Sequence, residues 1–430
     1  MRLSQRFAFR RQLLKQNDQY DKMQKRLMIL GAGPNQLPGI KRAVNLGYKV
    51  ITVDNIPSSI GHKYSQQYVN CSTIDKEGVL KAAVELEIDG IVTFASDVAI
   101  PTLGYVVEQL GLTGPGQSVA ETMAYKTRFR VFQRENKLNH PNFEIIERRE
   151  DLKRQLSNLT PPLIFKPVDA SGSRGISMVS KLDPESCSSA FEYAKGYSRS
   201  KTVCVEQYVE GIDVSGDGFL SDGRFTFAVI TKKYKQDFVV TGHRIPTDIS
   251  ADDKNRVIAE VAKTCAAIGY MDGPLDFDVR ISNDHVIVLE LSPRLGGNGI
   301  PMIIERGTGV DLFSAAIQLS LRYQVKLPEK AEISRSCGAL IFGSITEGTL
   351  KHLASDQEIM DAVPELFEYH LSFKIGDEVP IFTHGGNSLG YVLFDCPPQS
   401  TYSSIVARIK NTLHIGVSKK SSNHNQGRAN

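Results

Sequence analysis

The run Phe165-Lys166-Pro167-Val168-Asp169-Ala170-Ser171-Gly172-Ser173-Arg174-Gly175-Ile176 decides how this chain is read. An apolar strand ends in a lysine, and a short loop of small residues then returns into a second strand. Glycine and serine let the backbone close over an anion, and Lys166 adds a point charge suited to phosphate oxygens. The run is not a P-loop, because GxxxxGK[ST] is absent and the lysine precedes the loop. Taken alone, it is equally an ordinary glycine hairpin.

Two later segments give it company. Cys204-Val205-Glu206-Gln207-Tyr208-Val209-Glu210-Gly211-Ile212-Asp213-Val214-Ser215 is an apolar strand that exits into acidic and glycine positions. It can offer backbone groups to a flat base and the Asp213 carboxylate to ribose hydroxyls, or it is simply a strand with a solvated end. Then Gly273-Pro-Leu-Asp276-Phe-Asp278-Val-Arg280 and Val286-Ile-Val-Leu-Glu290-Leu-Ser292-Pro-Arg294 place acids on two apolar strands, joined by the turn Ser282 to His285. The two-residue period of a strand puts Asp276, Asp278 and Arg280 on one face, where Asp278 can meet Glu290. Facing carboxylates repel unless a cation or a proton lies between them, and hard oxygens suit Mg²⁺. Arg294 beyond them offers a planar fork to a phosphate or carboxylate. The plainer reading, acids that merely face water, fits Asp276 and fits Glu290 poorly, since Glu290 lies inside an apolar run.

Composition frames these motifs. The chain has 430 residues, 41% hydrophobic and 23% charged, which is globular and excludes disorder or collagen. At about 150 residues per domain, that length predicts roughly three domains. The net charge of +3 hides an asymmetry, because residues 1–26 carry eight Lys/Arg against two acids and residues 418–430 carry three against none, leaving a body of −6. The basic balance therefore belongs to the tails and argues against a nucleic-acid groove. The N-terminal extension reads as solvated, with an anionic-surface anchor or targeting peptide as the alternative, and Met23 just before the first strand is a possible true start. Six scattered cysteines with no CxxC pair read as reduced thiols. No apolar run nears the roughly 20 residues of a membrane span, and no secretory signal is visible, so a cytoplasmic protein without membrane insertion is expected.

From Arg26 the pattern is βαβ: Leu27 to Leu30, a turn at Gly31 and Gly33, a helix through Leu46, and Tyr48 to Val53 ending in Asp54. A helix from Lys76 to Leu86, a strand from Gly90 to Phe94 and a helix to Leu110 follow, predicting a parallel sheet covered on both faces. Gly31-Ala-Gly33-Pro-Asn-Gln36 is half of a dinucleotide fingerprint, with Gln36 where a third glycine belongs, so an NAD(P) oxidoreductase is a weak alternative. Residues 120–321 read as α+β on antiparallel sheets, with short strands at Leu163–Pro167, Ile176–Val179, Val203–Gln207, Gly216–Leu220 and Phe225–Ile230. The segment 336–415 reads as a smaller α+β unit, and the chain after Ile415 lacks the apolar surface to order itself.

Lysine, glycine loop, acidic hinge and Asp/Glu hairpin ending in Pro-Arg, in that order, resemble the ATP-grasp superfamily of carboxylate–amine ligases over residues 26 to 415. The resemblance implies an α/β and α+β chain: a basic extension (1–25), a Rossmann-like domain (26–118), a two-part ATP-grasp fold (119–325, its lid about 125–205 and its metal-binding part about 206–325), a C-terminal α+β subdomain (326–416) and a tail (417–430). It also implies ATP and Mg²⁺ (or Mn²⁺). Lys126 and Lys166 would hold ATP phosphates under a lid formed by Ser171, Ser173, Arg174, Gly175 and Ile176. Glu206 and the Val209 backbone would meet adenine in a hinge that includes Gln207 and Tyr208, and Asp213 would meet ribose. Asp278 and Glu290 would bind the metal with Ser292, which stands where many members have Asn and so implies a changed coordination sphere. Arg294, with Lys166, would be catalytic and would stabilise an acyl phosphate. His243, Arg244 and Asn298 are candidates for the substrate side, the first two being otherwise loop residues. The implied partners are a small-molecule carboxylate and an amine, and a homodimer is common in the family. The layout is most similar to the branch containing L-amino-acid ligases and short forms related to carbamoyl-phosphate synthase. Alternatives are a bicarbonate-phosphorylating enzyme, which would need another protein or free ammonia because no Met-Lys-Met motif or glutaminase-like region is present, and a non-catalytic ATP-binding scaffold.

Overall fold

A computed structural model describes residues 25–283 and 285–418. The basic extension up to residue 24 with Met23, Asp284 of the hairpin turn, and the tail from residue 419 lie outside the described residues.

Strands β1 (Arg26–Leu30), β2 (Lys49–Val53), β3 (Gln67–Val69) and β4 (Gly90–Thr93) form a parallel sheet in the order β3-β2-β1-β4. Leu27 to Leu30 are fully buried because this sheet is covered on both faces. Helix α1 (Leu37–Asn45) lies on one face, and α2 (Lys76–Glu85) and α3 (Ile100–Leu110) pack on the other. Helices α4 (Gln117–Ala124) and α5 (Lys126–Glu135) then lead into a second sheet. This one is antiparallel, made of β5 (Phe143–Ile146), β6 (Leu163–Pro167), β7 (Ser177–Val179) and β8 (Val203–Gln207) in the order β5-β8-β6-β7, with α6 (Leu152–Leu156) and α7 (Pro184–Tyr197) building its separate core.

The centre of the molecule is an eight-stranded antiparallel sheet in the order β13-β12-β9-β10-β11-β14-β18-β16. Its strands are β9 (Ile212–Ser221), β10 (Arg224–Gln236), β11 (Val239–Ile245), β12 (Gly273–Ile281), β13 (Val286–Ser292), β14 (Cys337–Phe342), β16 (Leu366–Leu371) and β18 (Gly390–Asp395). A small sheet of β15 (Gly348–His352), β17 (Glu378–Val379) and β19 (Gly416–Ser418) flanks it. Helix α8 (Ala251–Ile268), with Met123 and Phe129, covers the back of the central sheet. On the front, α9 (Ile300–Thr308), α10 (Leu312–Ser320) and α1 share one core with Phe219, Phe227, Ile245 and Leu393. The far end packs on α11 (Asp356–Ala362) and α12 (Tyr402–Leu413). Among the described residues no helix is long and apolar enough to cross a membrane, and all six cysteines are free.

Three local expectations change. The second strand of the glycine loop starts at Ser177, not Ile176. The strands expected at 216–220 and 225–230 are parts of two long ones, and His243 and Arg244, whose plainer reading was loop, lie on strand β11. The apolar run stops at Ile230, but β10 continues through Thr231 to Gln236 because its cations meet carboxylates of β9, the next strand, and of β12, one strand further. Moreover, β14, β18 and β16 continue the same sheet as the acidic hairpin, with His243 opposite Ala339 and Ala339 opposite Leu393.

The N-terminal sheet is seated by α1, whose Gly39 lies on the Phe94 ring so closely that a Cβ would overlap it. Phe94 is 1% exposed and is held edge-on against Phe313. Gly39→Val should therefore cost about 1–3 kcal/mol of stability by overpacking, read as a lowered urea midpoint; an unchanged midpoint would mean that α1 is free to shift.

Candidate active site

The front face of the central sheet carries the chemistry. Asp278 stands opposite Glu290 on β13 and opposite Ser215 on β9, while Asp276 stands opposite Ser292 and Asp217. On β10 and β11 the same face presents Lys233, paired in register with His243. Asp278 accepts hydrogen bonds from Lys233 Nζ at 2.7 Å and from Ser215 Oγ at 2.5 Å. Burial alone would raise the Asp278 pKa, yet Lys233 and Ser215 together hold it below the usual carboxylate range. Glu290 Oε1 lies 3.5 Å from Nζ of Lys126, which opens α5 and also donates to Ala170 O at 2.9 Å. Burial lowers the Lys126 pKa, but Glu290 and Asp97 more than offset this and raise it.

Lys166 on β6 donates to Glu206 Oε2 at 2.5 Å, and Arg130 Nε donates to Glu206 Oε1 at 2.9 Å. Glu206 is 2% exposed and Arg130 1%. Its carboxylate is thus sealed between two cations, which leaves the Glu206 backbone for the expected adenine contact. Arg130 also reaches Leu289 O on β13, so the network ties the lid sheet to the acidic hairpin. In the hinge, Gln207 N–H donates to Asn142 O and Tyr208 N–H to Pro162 O, while Val209 O accepts from Arg280, whose guanidinium lies over the Tyr208 ring. Asp213 accepts from both Lys235 and Arg280, so ribose hydroxyls would share it with two cations.

The glycine loop takes left-handed backbone at Gly172 (φ 66°), Ser173 (φ 64°) and Gly175 (φ 68°). It is latched at two points: Ser173 Oγ donates to Phe238 O at 2.7 Å, and Gly385 N donates to Gly172 O at 2.9 Å. The Arg174 guanidinium packs against Gly386, Ser171 O accepts weakly from Arg174 at 3.4 Å, and Ile176 falls in the loop just before β7.

Several expected residues lie elsewhere than anticipated. His243 is on the front face and 1% exposed, but Arg244 alternates to the opposite face, where it pairs with Asp248 at 3.2 Å. One strand cannot aim both at one substrate. Arg294, 6% exposed, spends its guanidinium on Asp97 of the N-terminal domain and on Asp276, 2.5 Å away. Asp276 therefore does not face water. Burial first, and Asp278 nearby, raise its pKa to about 6 despite Arg294. The fully buried Asp217 beside it accepts from Gly296 N and is raised well above the normal range by burial and by Asp276. The Ser292 hydroxyl lies with Asp97, whose pKa burial would raise but Arg294 pulls down. Asn298 sits in left-handed backbone (φ 57°) just before α9.

The contacts of Thr231 favour one tautomer of His243. The Thr231 hydroxyl donates to Ser215 O at 3.2 Å, so its 3.0 Å contact with His243 Nδ1 uses the ring N–H as donor. Nε2 is left as a buried lone pair with no partner among the described residues. Burial, and then Lys233, lower the His243 pKa to about 3 and keep the ring neutral. Lys233, Asp97, Asp217, Ser215 and Arg130 were not singled out from the sequence. The alternation of Lys233 and Lys235 beyond an apolar run was the available signal for the first.

The half-fingerprint at Gly31 satisfies its own donors. Ala32 N donates to Asp54 Oδ2 at 2.9 Å and Gly33 N to Gln36 Oε1 at 3.1 Å, while Gln36 Nε2 donates to Phe94 O. Gln36 fills the space over both glycines, which removes the cradle a pyrophosphate needs.

As for metal, no three His, Cys, Asp or Glu side chains gather as a complete shell among the described residues. Asp278 and Glu290 still fit an ion held by two protein carboxylates and completed by phosphate oxygens and water, the usual habit of Mg²⁺.

Comparison with protein families matches residues 159–302 to the ATP-grasp domain. The chain contains an ATP-grasp domain. The matched residues include Lys166, the glycine loop, the hinge and the acidic hairpin; Lys126 lies before them. Among curated proteins, the L-arginine-specific L-amino acid ligase of Bacillus subtilis is 22% identical over 367 residues, covering 83% of this chain and 87% of the relative. Among solved structures, an L-amino acid ligase from Bacillus licheniformis superposes with a TM-score of 0.77 at 21% identity, over 92% of this chain and 99% of that one. The biotin carboxylase domain dimer of Hydrogenobacter thermophilus 2-oxoglutarate carboxylase, solved with MgADP, ADP and bicarbonate, gives 0.70 at 15% identity, over 92% and 91%. At such identities the structural likeness is one of fold.

Glu206 is the expected source of acid sensitivity in the ATP-grasp domain. Burial would raise its pKa, but Arg130 and then Lys166 hold it at about 2 against 4.5 for the free group. Its stabilising share is complete above the unfolded value and is lost as pH falls through the folded one. Urea stability of the wild type should therefore fall more steeply between about pH 5 and about pH 3 than that of Glu206→Gln. Parallel profiles would place the titration elsewhere.

Proposed function

We propose that this protein uses ATP to activate a carboxylate and joins it to an amine, releasing ADP and phosphate, with an amino acid as first substrate. The observation that carries this is the cross-strand pair Asp278–Glu290 bordered by Lys126 and Lys233, with Lys166 at the lid: acids for a divalent ion and cations for a triphosphate on one sheet face. The match to L-amino acid ligases supports the substrate class.

In this reading a carboxylate oxygen attacks the γ-phosphorus of ATP, the bond to the ADP oxygen breaks, and an acyl phosphate forms. The amine nitrogen then adds to the acyl carbon, loses a proton, and phosphate leaves. Such chemistry asks little covalent work of the protein, only positioning and charge neutralisation. Lys126, Lys166 and Lys233 neutralise phosphate charge, and Asp278 and Glu290 hold Mg²⁺ or Mn²⁺, which when bound offsets the rest. The Val209 amide and the hinge backbone take adenine, and Asp213 takes ribose. The latched loop from Ser171 to Ile176 keeps water from the acyl phosphate. Arg294 braces the acceptor segment against Asp97, and it can turn to an acyl phosphate only by releasing one carboxylate. His243 Nε2, a neutral acceptor, orients an N–H of the incoming amine.

ADP release should be measured with Mg-ATP and amino acids singly and in pairs, and in a parallel arm with bicarbonate plus ammonia. Release that depends on an amino acid and falls at least about 100-fold in Glu290→Gln supports the reading; release with bicarbonate alone replaces it, and nucleotide binding without release in any arm leaves a scaffold. His243→Phe should raise the amine KM about tenfold, the worth of one hydrogen bond, while leaving the ATP KM unchanged; equal shifts in both would remove His243 from the amine.

A further inference from the structure

A cavity of about 760 Å³ lies apart from the acidic hairpin, walled by α1, α9 and strands β16 and β18. Its size is that of a small-molecule site. Six strand spacings, about 29 Å along the sheet, separate β12 from β16. Helix α9 stands between: Ile300, Ile303 and Ile304 are buried, and Gly307 packs on Ile245, while Met302, Glu305 and Arg306 line the cavity.

The charged groups in the wall divide into two sets. Arg42 is spent on Glu305 and Asp311, and Arg306 on Asp395 while lying over the Phe367 ring. Three groups are unspent. Lys41 forms no ion pair among the described residues and only overlies the Tyr64 ring, its Nζ 4.9 Å from the centroid. Glu368 forms none there either; burial raises its pKa, with Lys41 opposing as the nearby cation. His370 stacks on Tyr391 with 5.2 Å between centroids, and its buried Nε2 has no partner among the described residues. Burial, and then Lys41, lower its pKa, so the ring is a neutral hydrogen-bonding group. Lys41 and Glu368 are exposed at the cavity rim and form no ion pair among the described residues, and a cation and an anion so placed beside an aromatic wall complement a molecule bearing both charges and an apolar side chain.

We propose that this cavity binds a zwitterionic α-amino acid with an apolar or aromatic side chain, its carboxylate toward Lys41, its ammonium toward Glu368, and its side chain against His370, Tyr391 and Met302. The same chemistry belongs to an acceptor amino acid held before reaction and to an amino acid acting as effector. The assignment goes beyond the ligase reading and does not depend on turnover.

The test is calorimetric titration of the full chain with L-phenylalanine, with L-phenylalaninamide, which lacks the carboxylate, and with N-acetyl-L-phenylalanine, which lacks the ammonium. The free amino acid should bind at least about tenfold tighter than either analogue, the discrimination expected of a charge-assisted contact. Lys41→Met should abolish the preference over the amide, and Glu368→Gln the preference over the N-acetyl compound, with melting temperatures unchanged. No binding of the free amino acid, or equal binding by wild type and both variants, overturns the assignment. With Mg-ATP present, a raised KM for phenylalanine in Lys41→Met identifies a consumed acceptor, and binding without consumption identifies an effector; either outcome retains the site. Glu290→Gln should lose turnover but keep binding, so failure of the ligase reading and failure of this one are told apart.

Discussion

A sheet face that buries carboxylates must bury cations with them, and this requirement organises the molecule. Removing a charge from water costs several kcal/mol even after relaxation, and breaking one buried pair costs about 3–5 kcal/mol because the other charge is left alone. Glu206 with Arg130 and Lys166, and Arg294 with Asp97 and Asp276, are such arrangements, and Asp278 with Lys233 is a half-buried one. An exposed pair such as Lys81–Glu85, at 3.9 Å, contributes no more than about 0.5 kcal/mol. The buried pairs therefore decide which parts of the chain are held together, and the surface pairs do not.

Two of these networks also join separate units. Arg294–Asp97 ties the N-terminal sheet to the acidic hairpin, beside the bridge that pairs Phe94 with Leu295. Arg130 ties α5 to β8 and β13, so the lid sheet cannot move without carrying Lys166 and Glu206. The lid loop has lighter attachments, single hydrogen bonds to Phe238 and Gly385. At about 1 kcal/mol each, these can open and close while the buried pairs persist. In the proposed function this loop admits nucleotide and then excludes water, a role that suits that difference in strength.

Much of this was legible along the chain. The acidic hairpin was, because alternation within an apolar run fixes which side chains share a face, and Asp278 does meet Glu290. The parallel N-terminal sheet was legible from its βαβ rhythm. Lys233 and the rest of β10 were not, since a strand that faces a charged site looks polar beyond the point where its core contacts end. The separation of His243 from Arg244 needed the knowledge that residues 239–245 are strand, because neighbours in a loop can share a direction and neighbours in a strand cannot.

The sequence by itself determined the order of the parts and the identity of the acids and lysines, because these rest on local spacing and on strand periodicity, and the order of its motifs carried the resemblance to ATP-grasp ligases. Tertiary structure alone decided which charges are free to meet a ligand. It closed Glu206 inside the hinge, occupied Arg294 with an aspartate 197 positions away in the chain, and satisfied the Gly31 turn with Gln36. It also left Lys41, Glu368 and His370 unspent around one cavity. The physical reason is that a charge's availability depends on its neighbours in space, and in this fold those neighbours come from segments far apart along the chain.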